Sequence, residues 1–97
     1  MAQFDVHHVD DMLVVDCQSD LLASLNTRVV IPLLKNENAP KSAERLNPVI
    51  EINGSSYVMA TQFVATVPKN ALGKPVVSLA ARNIEIIGTM DFLLTGV

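Results

Sequence analysis

Cys17 is the only thiol in the sequence, and it stands at the end of an apolar run between Asp16 and Gln18. A neighbouring carboxylate raises a thiol pKa, the opposite of what a nucleophile needs. The expected role of Cys17 is therefore that of a small buried filler. His7 and His8 are adjacent, so on a strand they point to opposite faces and cannot share one metal ion. Asp5, Asp10, Asp11, Asp16 and Asp20 offer carboxylate oxygens, but no glycine-bearing loop of calcium spacing accompanies them, and they read as solvated hairpin ends. Gly73-Lys74 is not preceded by a loop that could cradle phosphate. Arg28, Arg45 and Arg82 could, with an acid, make a ribonuclease centre, although arginines at strand ends are more commonly structural. These patterns lead us to expect no catalytic residue, no metal ligand and no cofactor.

The elements that would carry these residues are mostly strands. Phe4 and Val6 alternate with Gln3, Asp5 and His7, Asp10-Asp11 breaks the run, and Met12-Leu13-Val14-Val15 resumes it. Residues 3–16 therefore predict a hairpin. The segment from Gln18 to Asn26 starts too polar for a strand and predicts a turn or helical bend. Arg28 to Leu34 is β-branched and apolar on both faces, as in a central strand, with a distortion expected at Pro32 because proline cannot donate to a ladder. Residues 35–45 read as an exposed loop. Val49-Ile50-Glu51-Ile52, then Asn53-Gly54, then Ser56 to Thr61 predict a tight hairpin, since Asn-Gly supplies the positive φ angles such a turn requires. The second arm is expected to continue through Phe63 to Val67 as far as Pro68, and a short strand is expected at Val76-Val77.

The period changes near the end. From about Ala80 to Leu94, Ile86, Met90, Leu93 and Val97 recur at helical spacing, while Ile84, Ile87 and Leu94 add a second stripe. A helix covering one sheet needs one stripe, so the second is expected to meet another copy of the chain. Gly88 lowers helix propensity by about 1 kcal/mol relative to Ala and would let another helix approach. Gly96 is placed to end the helix. Strands followed by one terminal helix give a mainly β domain of the α+β kind.

Length and composition agree with this picture. Ninety-seven residues suit one domain, residues 1–97, with one core. The composition is 49% hydrophobic and 18% charged, more apolar surface than so short a chain can hide in itself, and a homodimer is expected. The net charge of −3, with seven Lys and Arg spread thinly, gives no basic patch for direct nucleic-acid binding. A lone cysteine suits a reducing cytoplasm. The first residues do not resemble a signal peptide, and no apolar run approaches the roughly 20 residues of a membrane helix, so a cytoplasmic protein without membrane contact is expected.

Two collinear blocks carry a resemblance. Val15-Asp16-Cys17-Gln18-Ser19-Asp20-Leu21-Leu22 is followed by Asn26-Thr27-Arg28-Val29-Val30-Ile31-Pro32-Leu33. These resemble the Asp-x-Gln-Ser-Asp-aliphatic-aliphatic and Arg-x-Val-Ile-Pro-Leu runs of the CcdB toxins. The similarity continues through Leu46 to Ile50, Thr66-Val67-Pro68 and the tail Asp91 to Val97. The resemblance implies a homodimeric, partly open SH3-like barrel with a C-terminal helix, shared with MazF- and Kid-type toxins. It also implies a toxin that binds the gyrase A subunit, traps gyrase on cleaved DNA and is neutralised by a cognate CcdA-type antitoxin. By position, the gyrase-binding residues it implies are Asp91, Thr95, Gly96 and Val97, with Leu21 and Leu22 beside them and Asn83 and Ile84 earlier on the helix. The antitoxin is expected to dock as a disordered segment, with the hairpin near Asp10 and the 35–45 loop as candidate grooves.

The tail departs from the plasmid-type pattern Trp-Gly-Ile, because Thr95 stands at the tryptophan position. Truncating an aromatic anchor can cost about 2 kcal/mol or more, roughly thirtyfold in affinity, so a weaker poison is expected. Two other readings stand beside this one: a MazF-like endoribonuclease on the same fold, and a non-toxic relative that retains only antitoxin binding.

Overall fold

The structure is a computed structural model and describes residues 2–36 and 45–96. Strand β1 (Asp5–Val9) turns back through Asp10, at φ 53°, into β2 (Met12–Asp16). Aspartate tolerates this left-handed backbone better than most residues. A single 3-10 turn, Asp20–Leu22, leads to the long strand β3 (Thr27–Lys35). The hairpin of β4 (Val49–Ile52) and β5 (Ser55–Met59) closes on Asn53 and Gly54 at φ 51° and 83°, the two positive angles expected of an Asn-Gly turn. Strands β6 (Ala65–Pro68) and β7 (Pro75–Ser78) follow, then the helix α1 (Asn83–Thr95).

All seven strands join one antiparallel sheet in the order β4-β5-β3-β2-β1-β7, with β6 also paired to β3. The sheet curls into a half-barrel with α1 against it, the mainly β architecture expected. Strand β3 is the spine. It pairs with β2 along one edge, and along the other with β6 through Thr27–Val30 and with β5 through Leu33–Lys35.

Pro32 falls in the gap between those two partners. The distortion expected there is absent from the β2 side, where the register runs unbroken from Leu33 to Val30. The proline carbonyl still accepts from Ala60 N at 2.9 Å. Its missing N–H lies at the seam where β6 gives way to β5, so no ladder bond is lost. A second expectation also fails. Strand β5 does not run on to Pro68, because a 3-10 turn at Thr61–Phe63 interrupts it. Thr61 is fully buried there, and its hydroxyl donates to the Leu46 carbonyl at 2.6 Å. That tertiary bond overrides the β propensity of the segment.

Alternation along the strands divides the buried apolar residues between the two sheet faces. Val6, Leu13, Val15, Ile31 and Leu33 join Ile50, Met59, Leu79 and Ile86 of α1 in the main core. Val14 and Val30 form a smaller cluster with Leu72, flanked by Val9 and Val67. The single core expected from length is therefore two clusters among the described residues. His7 shows the alternation clearly: it is fully buried while His8 is exposed. The His7 Nδ1–H donates to the Gly73 carbonyl at 2.8 Å.

Candidate functional site

The first of the two blocks, Asp16 to Leu22, folds as a polar knot ending in exposed leucines. Asp16 is wholly buried, not a solvated hairpin end as its sequence context suggests. Its Oδ2 accepts from Arg28 Nε at 3.0 Å and Nη2 at 2.6 Å, and neither side chain is exposed. Asp16 Oδ1 accepts from Gln18 N at 3.0 Å. The Gln18 amide then spans the turn: Nε2 donates to the Leu22 carbonyl at 3.0 Å, and Oε1 accepts from Val29 N at 3.2 Å. Ser19 caps the 3-10 turn by accepting from Leu21 N at 3.2 Å, and Asp20 Oδ1 accepts from Gln3 N at 2.8 Å. The turn buries none of its own residues. Leu21 is 94% exposed and Leu22 49%, an unusual placement for adjacent leucines.

The helix presents a second apolar strip. Ile86 and Thr89 face inward, while Ile84 is 85% exposed, Ile87 47% and Leu94 74%. Ile84, Ile87, Asp91 and Leu94 follow each other at steps of three and four, which places them along one side of the helix. Asn83 and Asp91 are exposed as well. Thr95, also exposed, turns back on its own helix, its hydroxyl donating to the Asp91 carbonyl at 2.7 Å. Gly96 ends the helix at φ 75°, its N–H donating to the Phe92 carbonyl at 2.8 Å, as expected of a left-handed cap. Val97 lies outside the described residues.

The turn and the helix meet across an open apolar depression of about 420 Å³. Leu22 and Leu25 line it from the turn side and Ile87 and Met90 from the helix, together with Phe4 and Cys17. Of the eight residues singled out in the sequence, the structure brings Leu22 to this depression. Leu21, Asn83, Ile84, Asp91, Thr95 and Gly96 are exposed but do not line it. Leu25, Phe4 and Met90 were not foreseen as part of it. Phe4 in particular lies at φ 72° while 6% exposed, a backbone setting rare for a bulky side chain and invisible in a run that simply alternates.

Groups with chemical potential are otherwise quiet. Burial first, and then the Asp16 carboxylate, push the Cys17 thiol from 9.0 up to about 12, far from the range of a nucleophile. The three arginines have separate partners: Arg28 is enclosed with Asp16, Arg82 pairs with Glu85, and Arg45 lies 4.4 Å over the Phe92 ring. Among the described residues no group of three His, Cys, Asp or Glu side chains is placed to hold a metal ion. No helix among the described residues is long and apolar enough to cross a membrane.

The motif-bearing turn and the helix each leave apolar side chains exposed. A family model described as CcdB protein matches residues 3–96. The chain belongs to the CcdB family. The match takes in both exposed apolar elements and the knot beneath them. CcdB membership supports a toxin of a toxin–antitoxin system. The opposite sheet face of this CcdB chain carries a second, larger groove of about 760 Å³, lined by Val9, Met12, Val14, Val30, Pro32 and Val67, with Asp10, Asp11 and Lys35 at its edge.

Proposed function

We propose that this CcdB chain is a gyrase poison: a non-catalytic toxin that binds the gyrase A subunit and traps the enzyme on cleaved DNA. The observation that carries the reading is the exposure of Leu21 at 94% and Ile84 at 85%, each on an element the family resemblance assigns to gyrase. The turn and the helix that carry these side chains border one apolar depression, and exposed apolar residues gathered in one patch mark contact surfaces. The gyrase-binding set is Leu21, Leu22, Asn83, Ile84, Asp91, Thr95, Gly96 and Val97. Two copies pair through Ile87 and Leu94 of α1, which leaves Ile84 at the start of the helix open to gyrase. The antitoxin occupies the groove beside Asp10 and Lys35 on the other sheet face, where an apolar floor and charged rim suit a segment that folds on binding.

Incubating the purified protein with gyrase and supercoiled DNA tests this directly. Cleaved DNA should accumulate above the gyrase-only control, and absence of any increase at high protein excess overturns the proposal. The ribonuclease reading finds little support, since Arg28 is sealed inside the sheet against Asp16 and faces no substrate.

A further inference from the structure

We infer that Gln18 is a positioning residue, an amide clasp that fixes the Leu21-Leu22 turn in the shape that gyrase meets. The inference rests on the reading of these leucines given under Proposed function. A lone 3-10 turn has little intrinsic stability, and this one has no buried residue of its own to anchor it. Left to packing alone, a turn with a leucine exposed at 94% would fold that side chain back onto apolar surface. The depression walled by Leu22 and Ile87 lies immediately beside it.

Polar contacts prevent this collapse. Gln18 is 6% exposed and uses both ends of its amide, joining the Leu22 carbonyl at the end of the turn to the Val29 N–H of β3. Its own backbone N–H is held by Asp16 Oδ1, whose other oxygen is held by Arg28. The chain of contacts therefore runs from the sheet interior to the turn without a gap. Both ends of the buried Gln18 amide are hydrogen-bonded, and that pair of bonds ties the turn to β3. Neither Asp16, Arg28 nor Gln18 needs to touch the partner; the network acts through Leu21 and Leu22. On this account the Asp-x-Gln-Ser-Asp run is a structural device preceding a binding element, which explains why polar residues stand directly before two solvent-facing leucines.

The test uses Gln18→Met, which keeps the side-chain length and removes both amide contacts, and Gln18→Glu, which keeps the acceptor for Val29 and removes the donor to Leu22. Amide exchange should accelerate at Leu21, Leu22 and Ala23, and in Gln18→Met also at Val29, whose N–H loses its acceptor, while β2 and the rest of β3 stay protected. Affinity for the gyrase A subunit, measured by calorimetry, should fall about tenfold, the scale of one lost hydrogen bond. In a Leu21→Ala/Leu22→Ala background the same Gln18 substitution should produce no further fall, an outcome that general destabilisation would not give. If Gln18→Met does not fold, Gln18→Glu carries the same comparison. Unchanged exchange in the turn, unchanged affinity, or an equal fall in both backgrounds overturns the clasp. If the leucine double variant itself binds gyrase as tightly as the parent, the contact surface under Proposed function is wrong and the clasp falls with it. A weakened leucine variant beside an unaffected Gln18 variant removes the clasp alone.

Discussion

The Asp16 carboxylate and the Arg28 guanidinium meet at 2.6 Å with neither side chain open to solvent. Arg28 Nη1 has no hydrogen-bond partner among the described residues, so the pair is enclosed without being fully satisfied. Removing one member leaves the other as a buried, uncompensated charge, which is strongly destabilising. Arg28→Ala should therefore lower unfolding free energy by about 3–5 kcal/mol, read from urea denaturation at fixed protein concentration. The double replacement Asp16→Leu/Arg28→Met should be markedly less harmful than either single change. Equal damage from all three would show that the pair matters for shape and not for charge balance.

Leu21 makes the opposite prediction. A side chain 94% exposed contributes little to folding, and Leu21→Ala should shift stability by no more than about 0.5 kcal/mol. Its effect should appear in gyrase binding, with a loss on the order of tenfold if it fills a partner pocket. A melting curve and a binding isotherm on the same preparation separate the two effects.

The exposed side of α1 can be tested by charge. Ile87→Lys together with Leu94→Lys places two cations on a strip that is 47% and 74% exposed in the single chain. If this strip joins two copies, sedimentation should move from dimer to monomer, and melting should lose its dependence on protein concentration. A parent protein that sediments as a monomer would remove the dimer from the proposal.

Cys17 gives a pH prediction. Its thiol is pushed from 9.0 up to about 12 in the folded state, so between those values the native form holds a proton that the unfolded form has lost. Stability from this group is intact below pH 9.0 and declines as pH rises toward about 12. Urea titrations of the parent and Cys17→Ala should show a steeper alkaline loss for the parent. Iodoacetamide should label folded Cys17 far more slowly than the unfolded chain at pH 8, and equal labelling rates would contradict the raised thiol pKa.

The chain end supplies the last test. Deleting Gly96 and Val97 removes the helix cap at φ 75° and the terminal residues the family resemblance assigns to gyrase. Toxicity on expression should disappear while antitoxin binding and the circular dichroism spectrum persist. Loss of the folded spectrum would instead make the tail structural.

Much of the fold was legible because the residues involved obey local rules. Asn53-Gly54 dictates its turn by backbone angle alone, and Gly96 stops the helix for the same reason. The second stripe of α1 was visible from spacing, and it is the exposed one. Features that depend on distant partners were not visible. Nothing near Thr61 announces that its hydroxyl will reach Leu46, so the break after β5 went unforeseen. Asp16 read as a solvated hairpin end because a carboxylate is costly to bury alone, and only its pairing with Arg28 across β2 and β3 reverses that. Leu21 and Leu22 were identified through family resemblance, since adjacent leucines by themselves more commonly close a core. Pro32 looked like a fault in a central strand, and the change of partner from β6 to β5 that makes it harmless is a property of topology.

The sheet closes late in the life of the polypeptide. Asp5 in β1 pairs with Ser78 in β7, so the first strand to leave the ribosome waits for one of the last, and α1 emerges after both. A product that ends before β7 lacks the closing strand and the helix together. A fragment that ends before α1 keeps the Leu21-Leu22 turn and its polar contacts, all drawn from residues 3–29, but has no helix to set beside it.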